Sequence, residues 1–424
     1  METGPKEIRE LSERYERLTT LISRVNKDSL RKEHERQVRG KAVGVDGVTK
    51  AMYGTNLEEN LEDLINRMKR LRYRPQPVRR TYIPKANGKQ RPLGIPAYED
   101  KLVQGAMARI LNEVYEPRFL DSSYGFREGK SAHDAIREIN QTIMTRKVNY
   151  ILDCDIKGFF DNVDHKWLMK FLEHDIADKN FLRYVARFLK AGIMEDGNYQ
   201  ESSVGTPQGG LISPVLANVY LHYVLDLWLE KAVKPKLKGE AHLIRFADDF
   251  IIMFQHEKEA EMIYSALIER LRKFGLEVEQ SKTHILPFGR YKGKKETFDF
   301  LGFTHYNSVT RTGKYTVGHK VSKKKRKIFK SNLQKWVKEN RTKPLDWMLK
   351  KLNLKMTGAF RYYGISGTFY SIKSLYYYGM NVTYKWLNRR SQRKSFKFEK
   401  FIEVWKSYIQ KPRIYRDIWQ WNLA

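Results

Sequence analysis

Four aspartates of this chain stand where aspartate is expensive. Asp153 and Asp155 lie in the apolar run Tyr150-Ile-Leu-Asp-Cys-Asp-Ile156, and Asp248 and Asp249 lie between two runs, Leu243 to Phe246 and Phe250 to Phe254, that read as apolar strands. A carboxylate in such surroundings needs an Arg or Lys partner or a bound cation. Strand side chains alternate, so Asp153 and Asp155 share one face while Cys154 points into a core. Only Ala247-Asp248-Asp249 separates the second pair of runs, the pattern of a tight β-hairpin with two acids at its tip. Acids paired on neighbouring strands suit hard divalent cations such as Mg²⁺, which take one or two carboxylates and complete their shell with water and phosphate oxygens. Two such ions about 3.5–4 Å apart activate a hydroxyl nucleophile and stabilise the leaving oxygen of a phosphoryl transfer. An Asp-Asp pair in a hairpin also serves as a plain turn device, so the rest of the chain has to decide.

Composition favours the chemical reading. The 424 residues include 80 Lys plus Arg against 49 Asp plus Glu, a formal charge of +31, which calls for a polyanionic partner. From Arg311 onward there are 29 basic residues and 5 acidic ones, so the excess sits mainly in the last quarter. That quarter also holds six of the eight tryptophans, too many aromatics for a disordered basic tail. It reads as a folded, nucleic-acid-facing domain, with Lys323, Lys324, Lys325 and Arg326 at the start of its first helix and Arg389, Arg390 and Arg393 farther along as candidate contacts. Acids that hold cations together with a nucleic-acid partner point to nucleotidyl transfer. The one cysteine, Cys154, excludes a disulfide scaffold or a Cys-rich zinc site and fits a reducing cytoplasm. No run approaches the roughly 18 apolar residues of a membrane span, and the start METGPKEIRE lacks a signal-peptide core.

The elements that must position these residues follow from pattern. The first 75 residues read as helical, with Leu57, Leu61, Leu64, Ile65 and Met68 at helical spacing and a loop at Val43-Gly-Val-Asp-Gly47. Pro75 and Pro77 end that segment, and Val78 to Ile83 and Gln90 to Ile95 form a basic hairpin turned at Asn87-Gly88. Helices are expected over Glu99 to Tyr115, Ser131 to Thr145, Trp167 to Leu172, Phe181 to Ala191 and Lys258 to Phe274. A long helix is expected from Ser213 to Glu230, with Pro214 at a tolerated early position. Thr283 to Leu286 and Thr297 to Thr304 read as strands, and a helical basic region begins near Val321.

Seven ordered segments then take on a joint meaning. Arg91-Pro-Leu-Gly-Ile-Pro96, Ser123-Tyr-Gly-Phe-Arg127, Asp155-Ile-Lys-Gly-Phe-Phe160-Asp161, Gly205-Thr-Pro-Gln-Gly-Gly210, Ser213-Pro-Val-Leu-Ala-Asn218, Phe246-Ala-Asp-Asp249 and Phe300-Leu-Gly-Phe303 closely resemble the motifs of group II intron reverse transcriptases, the intron-encoded maturases of bacteria. The resemblance runs from about Val43 to the end, where Leu387-Asn-Arg-Arg-Ser-Gln-Arg393 and Lys411-Pro-Arg-Ile414 look like the family's thumb or maturase region.

The resemblance implies an α+β right-hand polymerase that copies RNA into DNA. Its parts would be an N-terminal helical extension (1–75), fingers (76–145), an antiparallel-sheet palm (146–310) and a helical basic thumb or maturase domain (311–424). Asp155, Asp248 and Asp249 would ligate two Mg²⁺ ions, with Mn²⁺ a substitute, and Ile156 would lend a backbone carbonyl. Phe160 matches the family's aromatic gate beneath the sugar, which selects deoxynucleotides. Lys85 and Arg91, on opposite arms of the basic hairpin, would hold the triphosphate. Gln208 would line the nascent base pair, and Lys282 matches the position that protonates the pyrophosphate leaving group. Partners would be an RNA template, a DNA primer, deoxynucleoside triphosphates, a group II intron RNA and a DNA target, in a bacterial cytoplasm. Phe246 replaces the family's commonest tyrosine, and with a single cysteine a zinc-dependent endonuclease is not expected. Two other functions stay open: a domesticated reverse transcriptase in defence or repair, and an RNA-folding splicing cofactor with dispensable polymerase activity.

Overall fold

The computed structural model describes residues 5–84, 90–195, 197–201, 204–205, 209–293, 295–391 and 395–419. In chain order it runs α1 (Pro5–Arg14), α2 (Lys27–Arg36), α3 (Lys50–Gly54), α4 (Leu57–Lys69), β1 (Val78–Pro84), β2 (Gln90–Ile95), α5 (Tyr98–Tyr115), α6 (Ala132–Thr145) and β3 (Tyr150–Cys154). There follow α7 (His165–Asp175), α8 (Lys179–Leu189), β4 (Ile193–Glu195), β5 (Asn198–Gln200), α9 (Ser213–Leu221), β6 (Ala241–Phe246), β7 (Asp249–Phe254) and α10 (Glu257–Lys273). The remainder comprises β8 (His284–Pro287), β9 (Thr297–Phe300), β10 (Phe303–Val309), β11 (Tyr315–Val321), α11 (Lys323–Asn340), α12 (Leu345–Tyr363), α13 (Phe369–Leu387) and α14 (Phe398–Tyr408).

Two compact units divide the chain: residues 1–131, 152–252 and 258–284 in one, and 132–151, 253–257 and 285–424 in the other. Three sheets form, in the orders β2-β1-β4-β5, β6-β7-β3-β8 and β11-β10-β9. The first begins with the expected hairpin, in which β1 and β2 pair antiparallel with Ile83 opposite Arg91. In the second, Phe250 to Phe254 are all buried, as befits a strand covered on both faces. The N–H of Asn149, just before β3, donates to the carbonyl of Phe254 at the end of β7 (2.9 Å), so these two strands run antiparallel. The end of β3 therefore lies beside the start of β7, which brings the two acidic segments together.

Helix ends are set by local chemistry. Asp164 caps α7 by accepting from Trp167 N, and Asp178 caps α8 by accepting from Asn180 N and Phe181 N, each worth about 1 kcal/mol. In the second unit α11 to α14 pack on Leu333, Val337, Leu352, Met356, Phe360, Leu375 and Trp405. No helix among the described residues is long and apolar enough to cross a membrane.

Three expectations need correction. The segment 297–304 is a hairpin of β9 and β10, because Leu301 (φ 49°) and Gly302 (φ 86°) both take left-handed conformations, as a two-residue type I′ turn requires. A strand also forms at Tyr315–Val321, where Gly318, His319 and Lys320 mask the alternation. The helix starting at Ser213 is regular only to Leu221, and its continuation over His222–Asp226 and Trp228–Val233 is π-helical.

Candidate active site

The site is built in the first unit on the ends of β3 and β7. Ala247 and Asp248 make the turn between β6 and β7, with Ala247 in the left-handed region at φ 58°. Asp249 opens β7 and is exposed, whereas Asp248 is half-buried. Asp155, also half-buried, is anchored through its main chain. Its N–H donates to Thr283 Oγ1 (3.3 Å) and its carbonyl accepts from Glu279 N (2.8 Å). Next to it, Ile156 forms an antiparallel bridge with Val278, flanked by the bond from Lys157 N to Glu277 O (2.9 Å). These flanking bonds turn the N–H and carbonyl of Ile156 itself away from the 277–279 segment.

Electrostatics tie the acids together. Burial, and then the charge of Asp155, pushes the Asp248 carboxyl above its ordinary range, while Arg91 and Arg245 oppose the rise. Lys282 pairs with the Asp155 carboxylate, and that bond, with further attraction from Glu279 and Asp249, holds its ammonium above the usual lysine value. Asp155, Asp248, Asp249, Lys282 and Arg91 thus feel one another at the hairpin tip. Among the described residues no three His, Cys, Asp or Glu side chains are grouped closely enough to hold an ion unaided. The donor set still fits Mg²⁺: carboxylates crowded into a partly dry site, hard oxygens only, and room for the water and phosphate ligands this ion keeps.

The other predicted residues are placed as follows. Phe160 lies in a short 3₁₀ turn, half-buried and edge-on to the buried Phe159 (centroids 5.2 Å). Arg91 is exposed at the start of β2. Lys85, Gln208 and the Asn87-Gly88 turn lie outside the described residues, as does Arg393. Beside Gln208, Gly209 has φ +113°, and a Cβ there would sit 2.6 Å from the carbonyl oxygen of Gly94. Two motifs therefore meet backbone to backbone. In the second unit Lys323, Lys324 and Lys325 are exposed in the first turn of α11 and Arg326 is half-buried, with Ser322 capping the helix. Arg389 lies over the Trp386 ring (5.8 Å), and Arg390 donates to Ser395 (3.2 Å).

One residue escapes the sequence reading. Arg245 is fully buried and forms an ion pair with the equally buried Asp226, two residues from the acidic turn. Its signal is an arginine inside the run Leu243-Ile-Arg-Phe246, at a position where a core residue is expected.

Comparison with known proteins agrees with this arrangement. Residues 83–305, more than half of the chain, match the family model described as reverse transcriptase (RNA-dependent DNA polymerase). The group II intron-encoded protein LtrA of Lactococcus lactis subsp. cremoris is 36% identical over 263 residues, covering 58% of this chain and 44% of that protein. The chain thus spans less than half the length of that relative. Protein YkfC of Escherichia coli K12 is 32% identical over 323 residues, covering 68% of this chain and 82% of the relative. A more distant similarity, 26% over 179 residues, covers 32% of this chain and 24% of the nuclear intron maturase 2, mitochondrial, of Arabidopsis thaliana. The family match over half the chain and the extended likeness to YkfC place this protein in the reverse transcriptase family, among the group II intron type.

Proposed function

We propose that this protein is an RNA-directed DNA polymerase of group II intron type, which extends a DNA primer on an RNA template and also binds an intron RNA to assist splicing. The observation that carries the reading is the electrostatic convergence of Asp155, Asp248, Asp249, Lys282 and Arg91 at one hairpin tip. In this reading residues 146–310 are the palm and 311–424 the thumb or maturase domain. Asp155, Asp248 and Asp249, with the Ile156 carbonyl, would hold two Mg²⁺ ions, which supply nucleophile activation and charge neutralisation when bound. Arg91 offers a guanidinium fork to the triphosphate, with Lys85 as the companion charge from the other arm. Phe160 bears on the sugar from below, where its bulk excludes a 2′-hydroxyl, and Gln208 lines the base pair. Lys282, kept protonated beside Asp155, delivers a proton to the departing pyrophosphate.

The test separates chemistry from binding. Asp248→Ala or Asp249→Ala is expected to abolish primer extension on RNA while RNA affinity stays near wild type, because the basic surface is untouched. Near-normal extension by either variant would sink the assignment.

A further inference from the structure

We propose that Arg245 is a positioning residue of the polymerase site, clamped by Asn218 and Asp226 so that it fixes the Ala247-Asp248 turn. The inference rests on the reverse transcriptase reading above and adds a part to its machinery.

Arg245 is wholly buried, and its guanidinium is shared between two tasks. Nε and Nη2 form a two-pronged pair with Asp226 (2.8 and 2.6 Å), and Nη1 donates to Asn218 Oδ1 (3.0 Å). The same Nη1 also donates to the carbonyl oxygen of Ala247 (3.0 Å), in the peptide that leads into Asp248. A lysine has no fork and cannot make these bonds together. The turn is braced from its other side as well. A Cβ on Gly125 would come within 2.3 Å of Ala247 N, and the Gly125 carbonyl accepts from Asn218 Nδ2 (2.7 Å). Main-chain bonds from Arg245 N to Ser122 O and from Tyr124 N to Arg245 O, both 2.8 Å, complete the frame.

Two features show that the frame serves the turn. Ala247 has φ 58° without being glycine, a conformation that persists only where surrounding contacts over-determine it. The π-helical stretch also acquires a purpose. At 3.6 residues per turn, residues eight apart lie about 80° from one another around a helix axis, so Asn218 and Asp226 would diverge. The wider turns over His222–Asp226 reduce that offset and bring both side chains to one guanidinium. A buried ion pair is no better for stability than apolar residues of similar volume, so stability alone does not account for it.

The deciding variant is the double replacement Arg245→Met with Asp226→Leu, compared with Arg245→Met alone and with Arg245→Lys. The single Met variant leaves Asp226 buried and unpaired, so its melting temperature falls. In the double variant the melting temperature returns towards wild type while kcat for primer extension stays down on the order of 10²-fold. KM for the deoxynucleotide changes little, because what is lost is alignment of the reacting groups. Amide exchange at Asp248 and Asp249 becomes faster at unchanged global stability. Wild-type kcat and wild-type exchange in a folded double variant would overturn the proposal. If that variant does not fold, Arg245→Lys decides: a kcat loss at a near wild-type melting temperature supports positioning, and an unchanged kcat refutes it. A wild-type protein that extends no primer defeats the reverse transcriptase reading instead, and the exchange measurement then still decides whether Arg245 holds the turn.

Discussion

At the scale of single residues, adjacent aromatics with unequal burial carry the clearest prediction. Phe159 is 2% exposed and packs in the core, whereas Phe160, edge-on to it and five residues past Asp155, keeps part of its ring accessible. Nothing in the packing requires Phe160 to stay large, so Phe160→Ala should leave the melting temperature nearly unchanged. Its effect should appear as discrimination: ribonucleotide incorporation is expected to rise relative to deoxynucleotide, read as the ratio of kcat/KM values. An unchanged ratio would make Phe160 an ordinary filler. Asp155, Asp248 and Asp249 can be picked from the sequence because a carboxylate in an apolar strand conflicts with its surroundings, and Arg245 presents the same kind of conflict. It goes unread because an arginine before a hairpin turn is also compatible with an exposed strand edge, and its partner Asp226 lies 19 residues away on a helix whose π-turns no periodicity announces.

Elements are legible where one local rule dominates, and illegible where two compete. The hairpin of β1 and β2 and the acidic hairpin of β6 and β7 have simple alternation and short turns, so their strands form within a residue or two of expectation. The 297–304 segment misleads because Phe, Leu and Thr continue an apolar run through a turn whose only marker is Gly302. Gly209 shows what such a glycine can be worth. Its φ of +113° and the 2.6 Å approach of the Gly94 carbonyl leave no space for a methyl group against backbone. We expect Gly209→Ala to cost on the order of 1–3 kcal/mol from strain alone and to lower extension more than RNA binding. Thermal melting and template affinity measured together would check this, and wild-type melting would refute it. The strand pair β10 and β11 carries a second expectation, in pH. His305 and His319 sit opposite one another, both fully buried, with ring centroids 4.9 Å apart. Burial pushes His319 down to about 3, and burial together with His319 lowers His305. Unfolded histidines bind protons from about pH 6.5 downward, so the stabilising difference is complete above that pH and is lost as pH falls towards the folded values. Each buried histidine should cost about 2 kcal/mol between pH 8 and pH 5. Urea unfolding at the two pH values should show the loss, and His319→Phe should reduce it.

For the whole molecule, charge is distributed by sequence region, with 29 basic and 5 acidic residues from Arg311 onward. Helix stability does not explain that distribution. The first turn of α11 holds Lys323, Lys324 and Lys325 and no acid, although the positive end of the helix dipole disfavours cations there by about 0.3–1 kcal/mol each. Around Trp386, Lys338, Arg341 and Arg389 all lie within 6 Å of one ring, at 5.5, 5.3 and 5.8 Å, so like charges are gathered where repulsion works against the fold. Such crowding is relieved by a polyanion, and cation–π contact lets the tryptophan organise the cations before it arrives. Neutralised phosphates release counterions, which makes affinity fall with salt in proportion to the number of contacts. Replacing Lys323, Lys324, Lys325 and Arg326 together by Gln should therefore weaken RNA binding at low salt and flatten the plot of log affinity against log salt by about three units if all four touch phosphate. The same change relieves the unfavourable dipole interaction, so the melting temperature should hold or rise while affinity drops. Wild-type affinity and slope in that variant would assign the binding to other cations, and Arg389→Gln with Arg390→Gln would then be the pair expected to lower the slope.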